Sequence, residues 1–413
     1  MMFNEKLKKY AELIVWAGGN VQAGQMVVIS CDVEDAYFGR IVQECAYEAG
    51  ASSVSMDWSD KPTTRMLYLK AADETFDTCP QWLVEKYKYR DGKGAVYLHI
   101  MSSDPDLLAG VDPDRIKRYS KVSQEALKEH KDLAMSGALR WSGFAIPSPA
   151  WAKKVFPDLS EAEAIERLWK LIFKASRADG ADPLSDWATH KNNFKERLNY
   201  LNKQQFTSLR ITTGLGTDLT LGLAENHVWV GCGDVAKDGL SFLPNIPTEE
   251  IFTAPNFRIT QGRVVASMPL SYQGNLIDGF EFTFKDGVIV DFNSDKCYEI
   301  LKSIVETDDG SRRLGEIALV ANSSPISQMK TLFYNTLYDE NASSHLALGK
   351  AYPKNIENGK NLSKDELTAK GANDSLVHVD FMFGTDDLKV VGIRQDGSEI
   401  AIMENGEFTE ITT

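Results

Sequence analysis

The hydrophobic period of this chain changes near its middle, and that change restricts the fold more than any other feature. Through about residue 185, β-branched runs alternate with helical patterns. Residues 26–30, 53–56 and 94–100 read as strands, 36–49 as a helix closed by Gly50, and 140–146 as a strand stopped by Pro147 and Pro149. Parallel strands need long crossovers, so this grammar predicts an α/β domain with a parallel-type sheet covered by helices. Ser160, with Glu163 three residues later, opens a strong helix over 160–178, and 187–201 reads as another.

Beyond that point the strands shorten and are separated by Gly and Asn. They fall at 209–213, 218–221, 227–230, 263–268, 279–284 and 288–292, interrupted by helices at 294–305 and near 327–337. The expectation is an α+β, largely antiparallel second domain. The turn-rich, acidic 178–186 stretch places the boundary within 180–205, giving domains 1–190 and 191–413.

The balance of 45 basic against 59 acidic residues leaves a net charge of −14. Phosphate backbones select basic surfaces, so nucleic acid is excluded as the expected partner. No stretch has the roughly 18 uncharged apolar residues of a membrane helix, and none is expected to meet a bilayer. The start of the chain reads as an amphipathic helix: Leu7, Tyr10, Ala11, Ile14 and Val15 share a face, and Glu12 would interrupt a signal peptide. The five cysteines, 31, 45, 79, 232 and 297, are odd in number, scattered and never CxxC, which points to buried thiols in a cytoplasmic protein.

Several familiar motifs fail on context. Gly231, Gly233 and Ala236 match a dinucleotide fingerprint, but KDGLSFLPNIP follows where a helix must open; a glycine-rich hairpin fits better. GxxxxGK[ST], GxSxG and HExxH are missing. Of six histidines, His99, His130 and His190 read as structural and His227 as a strand-edge residue.

The remaining two sit among carboxylates. In the apolar strand 377–383, His378 and Asp380 are two apart and share a face, fit to hold one divalent ion or to pair with each other. Glu316 opens an apolar run; a carboxylate there needs a cation, whether a metal or Arg312 and Arg313. Glu249 and Glu250 are adjacent between Pro247 and Pro255, so on an extended chain only one faces a given site. If 343–352 is helical, His345 and Tyr352 lie on one face, with Glu340 on the preceding turn. Glu250, Glu316, Glu340, His345, His378 and Asp380 thus form an oxygen-rich set with two imidazoles and no thiolate. Such a set suits two divalent ions, Zn, Co or Mn, bridged by a carboxylate and a water.

PTEEIFTAP, LGEIALV, DENASSHLALGKAY and VHVDFMFG, in that order, resemble the aminopeptidase T/aminopeptidase S family of two-metal peptidases, and the likeness extends to GNVQAGQMVVIS near the start. The resemblance implies metal ligation by Glu250, Glu316, His345, His378 and Asp380, involvement of Glu340, a catalytic role for Tyr352, and a homodimer. It implies peptide substrates with a free N-terminus. A spare carboxylate, Glu249, Glu250 or Glu340, would be the general base, and Tyr352 would donate to the oxyanion. A small-ligand-binding protein with a structural metal is the alternative; a glycosidase would leave both histidines idle.

Overall fold

In a computed structural model, which describes residues 2–272 and 274–411, the chain divides into two units. One comprises Met1–Thr189 with Gly233–Pro247, the other His190–Cys232 with Thr248–Thr413.

The first unit is built on the expected parallel sheet. Its strands lie in the order Asn245–Ile246, Trp141–Ala145, Val96–Met101, Met26–Asp32, Ser53–Ser59, all parallel. The fifth strand arrives from the 233–247 segment, which the alternation of the first half does not announce. Helix Ala36–Glu48 turns Phe38, Val42, Cys45 and Ala46 inward. Phe38 meets Tyr10, Phe144 and Trp169 at ring separations of 5.7, 6.4 and 6.1 Å. Helix Glu161–Ala175 starts at the expected Ser160–Glu163 capping box.

The second unit is an antiparallel α+β assembly. Its larger sheet runs Val288–Asn293, Glu281–Lys285, Pro255–Val265, Asp218–Leu223, Ser208–Thr212, Lys389–Ile393, Glu399–Glu404, Glu407–Phe408. Its smaller sheet runs His378–Met382, His345–Gly349, Leu314–Leu319, Ile251–Thr253, Val230–Gly231. Only Ala254 separates Ile251–Thr253 from Pro255–Val265, so the chain steps from one sheet to the other there. One core joins them: Leu209, Leu221, Val264 and Phe282 from the large sheet, and Ile317, Leu346, Leu348 and Phe381 from the small one. Each such side chain contributes about 1.5–3 kcal/mol on burial.

Two expectations change. Residues 343–352 are not helical: 345–349 is a strand in mid-sheet. A short apolar run buried on both faces, such as Leu-Ala-Leu, has no period by which to tell strand from helix. The 227–230 strand shrinks to Val230–Gly231, and His227 makes only an isolated bridge with Ile356. The Gly231–Ala236 stretch does enter a hairpin, Asp234–Val235 against Ser241–Phe242.

His227 is buried at 4% exposure; its Nδ1–H donates to the Ala224 carbonyl at 3.2 Å, and burial pushes its pKa down to about 4. Because the folded value lies below the unfolded 6.5, unfolding takes up a proton between those limits. Stability therefore falls as pH drops from about 6.5 to about 4, by up to roughly 3 kcal/mol from this residue. Urea unfolding of His227→Phe is expected to decline less steeply than wild type over that range. Parallel declines would assign the acid sensitivity elsewhere.

Candidate metal centre

Antiparallel register lines up the acidic and histidine residues of three strands. Glu316 pairs with Ala347, and Ala347 with Asp380. Ala318 pairs with His345, and Gly349 with His378. Directly opposed residues share a face, so Glu316, His345, His378 and Asp380 all project from the same side of the sheet. The other side carries Ile317, Leu346, Leu348, Val379 and Phe381 into the core. Phe252 opposes Ala318, and the period of two puts Glu250 on the ligand face with Phe252 while Glu249 goes with Ile251.

Glu316 reaches this face because of a bulge. Leu314 opposes Leu348 on the core side, yet Glu316, two residues on, opposes Ala347 on the ligand side. The register shift falls at Gly315, where the extra residue re-aims the strand. Gly315 also cannot be replaced freely: a Cβ there would lie 2.3 Å from the Gly349 carbonyl oxygen and 2.5 Å from that of Lys350.

The side chains converge on two overlapping trios, Glu250–Glu316–His345 and Glu316–His378–Asp380, with ligand atoms in each within 4.8 Å of one another. His345 Nε2 lies 3.1 Å from Glu250 Oε2 and 3.6 Å from Glu316 Oε1. His378 Nε2 lies 3.3 Å from Asp380 Oδ1 and 3.9 Å from Glu316 Oε2. Glu316 thus offers one oxygen to each trio. Arg312 and Arg313 are engaged elsewhere, with Glu306 at 3.5 Å and the Phe257 carbonyl at 3.1 Å.

This donor set fits a pair of divalent cations. Both imidazoles are pinned through Nδ1, His345 to the Ser343 carbonyl at 3.1 Å and His378 to the Lys350 carbonyl at 2.7 Å. A carbonyl only accepts, so Nδ1 carries the proton and Nε2 presents its lone pair to the cluster. Glu316 Oε2 and Asp380 Oδ1 are buried with no hydrogen-bond partner among the described residues, a costly state that a cation relieves.

The electrostatics agree. Burial raises the Glu316 carboxyl, and burial with the Glu250 and Asp380 charges raises Glu340 well above the carboxylate range. Burial alone would lower the imidazoles, but Glu250 and Glu316 hold His345 well up, and Asp380 with Glu316 holds His378 at about 10. Burial works against the Asp380 charge, yet His378 brings its pKa below the usual value. Without a cation the cluster draws protons onto Glu316, Glu340 and both imidazoles; two divalent ions would neutralise the carboxylates and leave both imidazoles as neutral ligands.

Three further expected residues surround the trios. Glu340 lies on the Glu340–Ala342 turn just ahead of the His345 strand. Tyr352 follows that strand, its ring 4.7 Å from the His378 ring and 6.2 Å from Phe252. Burial, then the Glu316, Asp380 and Glu340 charges, raise its phenol well above the ordinary value, so it keeps its proton. Glu249 is buried with its carboxylate 3.9 Å from His190. Sequence reasoning missed Asn341. Its side-chain oxygen accepts the Glu249 N–H at 2.6 Å and its amide donates to the Leu337 carbonyl at 2.9 Å, tying two ligand-bearing segments together. Nothing in its spacing signals that role.

Residues 3–408 match the profile of a family described as thermophilic metalloprotease (M29). The chain is 44% identical to Aminopeptidase 2 of Geobacillus stearothermophilus over 406 residues, covering 98% of each chain. It is 43% identical to Aminopeptidase AmpS of Bacillus subtilis (strain 168), covering 98% of this chain and 99% of that one. Among solved structures, wild-type AmpT from Thermus thermophilus superposes with a TM-score of 0.93 at 37% identity, over 99% of this chain and all of that one.

Glu316→Gln tests whether Glu316 serves both trios. The variant is expected to hold at most one ion per chain, while its chelated form is at least as heat-stable as chelated wild type, since one of several crowded, buried carboxylates has been removed. Metal analysis and melting in chelator decide this; two ions retained would remove Glu316 from the bridging position.

Proposed function

The chain belongs to the thermophilic metalloprotease (M29) family and is a metal-dependent aminopeptidase; we propose how its residues divide the work. The observation that carries the reading is the pair of trios sharing Glu316, each with an imidazole whose Nδ1 is fixed by a backbone carbonyl. Glu250, Glu316 and His345 hold one divalent ion, and Glu316, His378 and Asp380 the other, with Glu340 at the rim. Zn, Co and Mn suit this mixture of oxygen and imidazole donors. When bound, such a pair supplies Lewis acidity to a carbonyl and lowers the pKa of a water towards about 7.

Glu340 is the proton acceptor. It lines, with Asp380, a recess of about 20 Å³, room for a single water, which puts its carboxylate beside the place a water would occupy. Glu249, the second candidate base, is turned towards His190. Tyr352 donates its hydroxyl to the oxyanion that develops when the scissile carbonyl is attacked, a task for which a protonated phenol is required. The free α-amine of the substrate would meet one of the ions or an acidic group at the site, which accounts for removal of N-terminal residues from peptides.

A homodimer is part of this proposal; Trp82 and Tyr89, seven apart on helix Gln81–Gly92 and 65% and 63% exposed, lend it support as candidate contact residues. A cytoplasmic location is supported by the five free thiols. Among the described residues no helix is long and apolar enough to cross a membrane.

Chelation is expected to abolish hydrolysis of an aminoacyl anilide and divalent ions to restore it; full turnover in verified metal-free protein contradicts the reading, and no turnover with metal restored favours the ligand-binding alternative. Tyr352→Phe is expected to lower kcat by about 10²–10³ with KM and metal content little changed. A core role for the ring alone would leave kcat intact. Glu340→Gln is expected to cost more kcat than Glu249→Gln, and the reverse order would exchange their roles.

A further inference from the structure

The recess beside Glu340 is not the only depression at the metal centre. A cleft of about 740 Å³, within the range of small-ligand sites, opens in the same unit. Three chain segments lead from one to the other. Leu270 lines the recess and Met268 the cleft; Glu340 lines the recess and Ser343 the cleft; Asp380 lines the recess and Gly384 the cleft. Ser343 is also the residue whose carbonyl fixes His345. The cleft therefore adjoins the recess along three segments, one of which anchors His345.

Among the described residues that line the cleft, Lys330 is the only lysine or arginine. Its ammonium lies 3.2 Å from Asp386, and both side chains are largely exposed. Such a pair is worth little in water, so the lysine can exchange one carboxylate for another. Lys330 is held at φ 48°, in the left-handed region that lysine rarely adopts, and Tyr334 at φ 53° closes the same short segment. In Lys330 this conformation closes the Ser327–Met329 turn, its N–H donating to the Ser327 carbonyl.

We propose that this cleft binds the part of the substrate downstream of the scissile bond, and that Lys330 pairs with the terminal α-carboxylate of a short peptide. The proposal rests on the aminopeptidase reading. An exopeptidase acting at the N-terminus must let the remainder of the chain run outwards. A cation along that path selects peptides that end within its reach and carry a free carboxylate. The preferred substrates are then short unblocked peptides, with a charge favoured at each end.

The test uses the metal-loaded enzyme with leucyl-glycyl-glycine, the C-terminal amide of that tripeptide, and leucine p-nitroanilide. Wild type is expected to prefer the free acid over the amide by about tenfold in kcat/KM, mainly through KM. Lys330→Asn, which tolerates positive φ, is expected to bring that ratio close to one, and Lys330→Arg to keep most of it. No preference in wild type, or a preference that survives Lys330→Asn, would overturn the proposal. If wild type turns over none of the three, the aminopeptidase reading falls and this proposal with it. Turnover of the anilide without discrimination between acid and amide removes the proposal alone.

Discussion

The backbone hydrogen bonds that set Glu316 opposite Ala347, and Ala347 opposite Asp380, determine everything that happens at this site. Side chains alternate with a period of two, so a slip of one residue at either interface would send the carboxylates into the core and the leucines to the ligand face. Register is enforced from below: Ile317, Leu346, Leu348 and Phe381 must all remain in the apolar core for the acidic residues to meet above it. Hydrophobic burial on one face thereby supplies the precision of the chemistry on the other.

That arrangement concentrates negative charge where water is scarce. The unpartnered oxygens of Glu316 and Asp380 and the raised proton affinities of both imidazoles are two expressions of the same excess. A protein folded around such a face gives up stability in the metal-free state and recovers it when cations bind, because anything that binds the native state alone stabilises it. The backbone carbonyls of Ser343 and Lys350 make the recovery specific, since they fix which nitrogen of each ring is offered.

How much of this was legible in the sequence depended on whether local pattern and tertiary context agreed. Strand 378–382 was legible, because alternation alone puts His378 and Asp380 on one face. The parallel grammar of the first half was legible from its β-branched runs. The strand that carries His345 was not, because Leu-Ala-Leu carries no period. Glu316 was suspected for being a carboxylate in an apolar run, but its face could not be read: alternation puts it with Leu314, and only the bulge at Gly315 separates them. The strand at Asn245–Ile246 returns from far along the chain, a long-range pairing that no local signal encodes.

Ala347 occupies the middle of the row between Glu316 and Asp380, with both of its strand neighbours facing the core. A longer side chain there would stand between the two carboxylates and still be compatible with the strand, its hydrogen bonds and the apolar layer beneath. A descendant of this protein could therefore abandon its chemistry in a single mutational step and keep its architecture. Relatives of this kind would be indistinguishable from the enzyme by shape, and ancestry inferred from the fold would group the two together. In such a lineage the difference between the enzyme and an inert fold would come down to one methyl group.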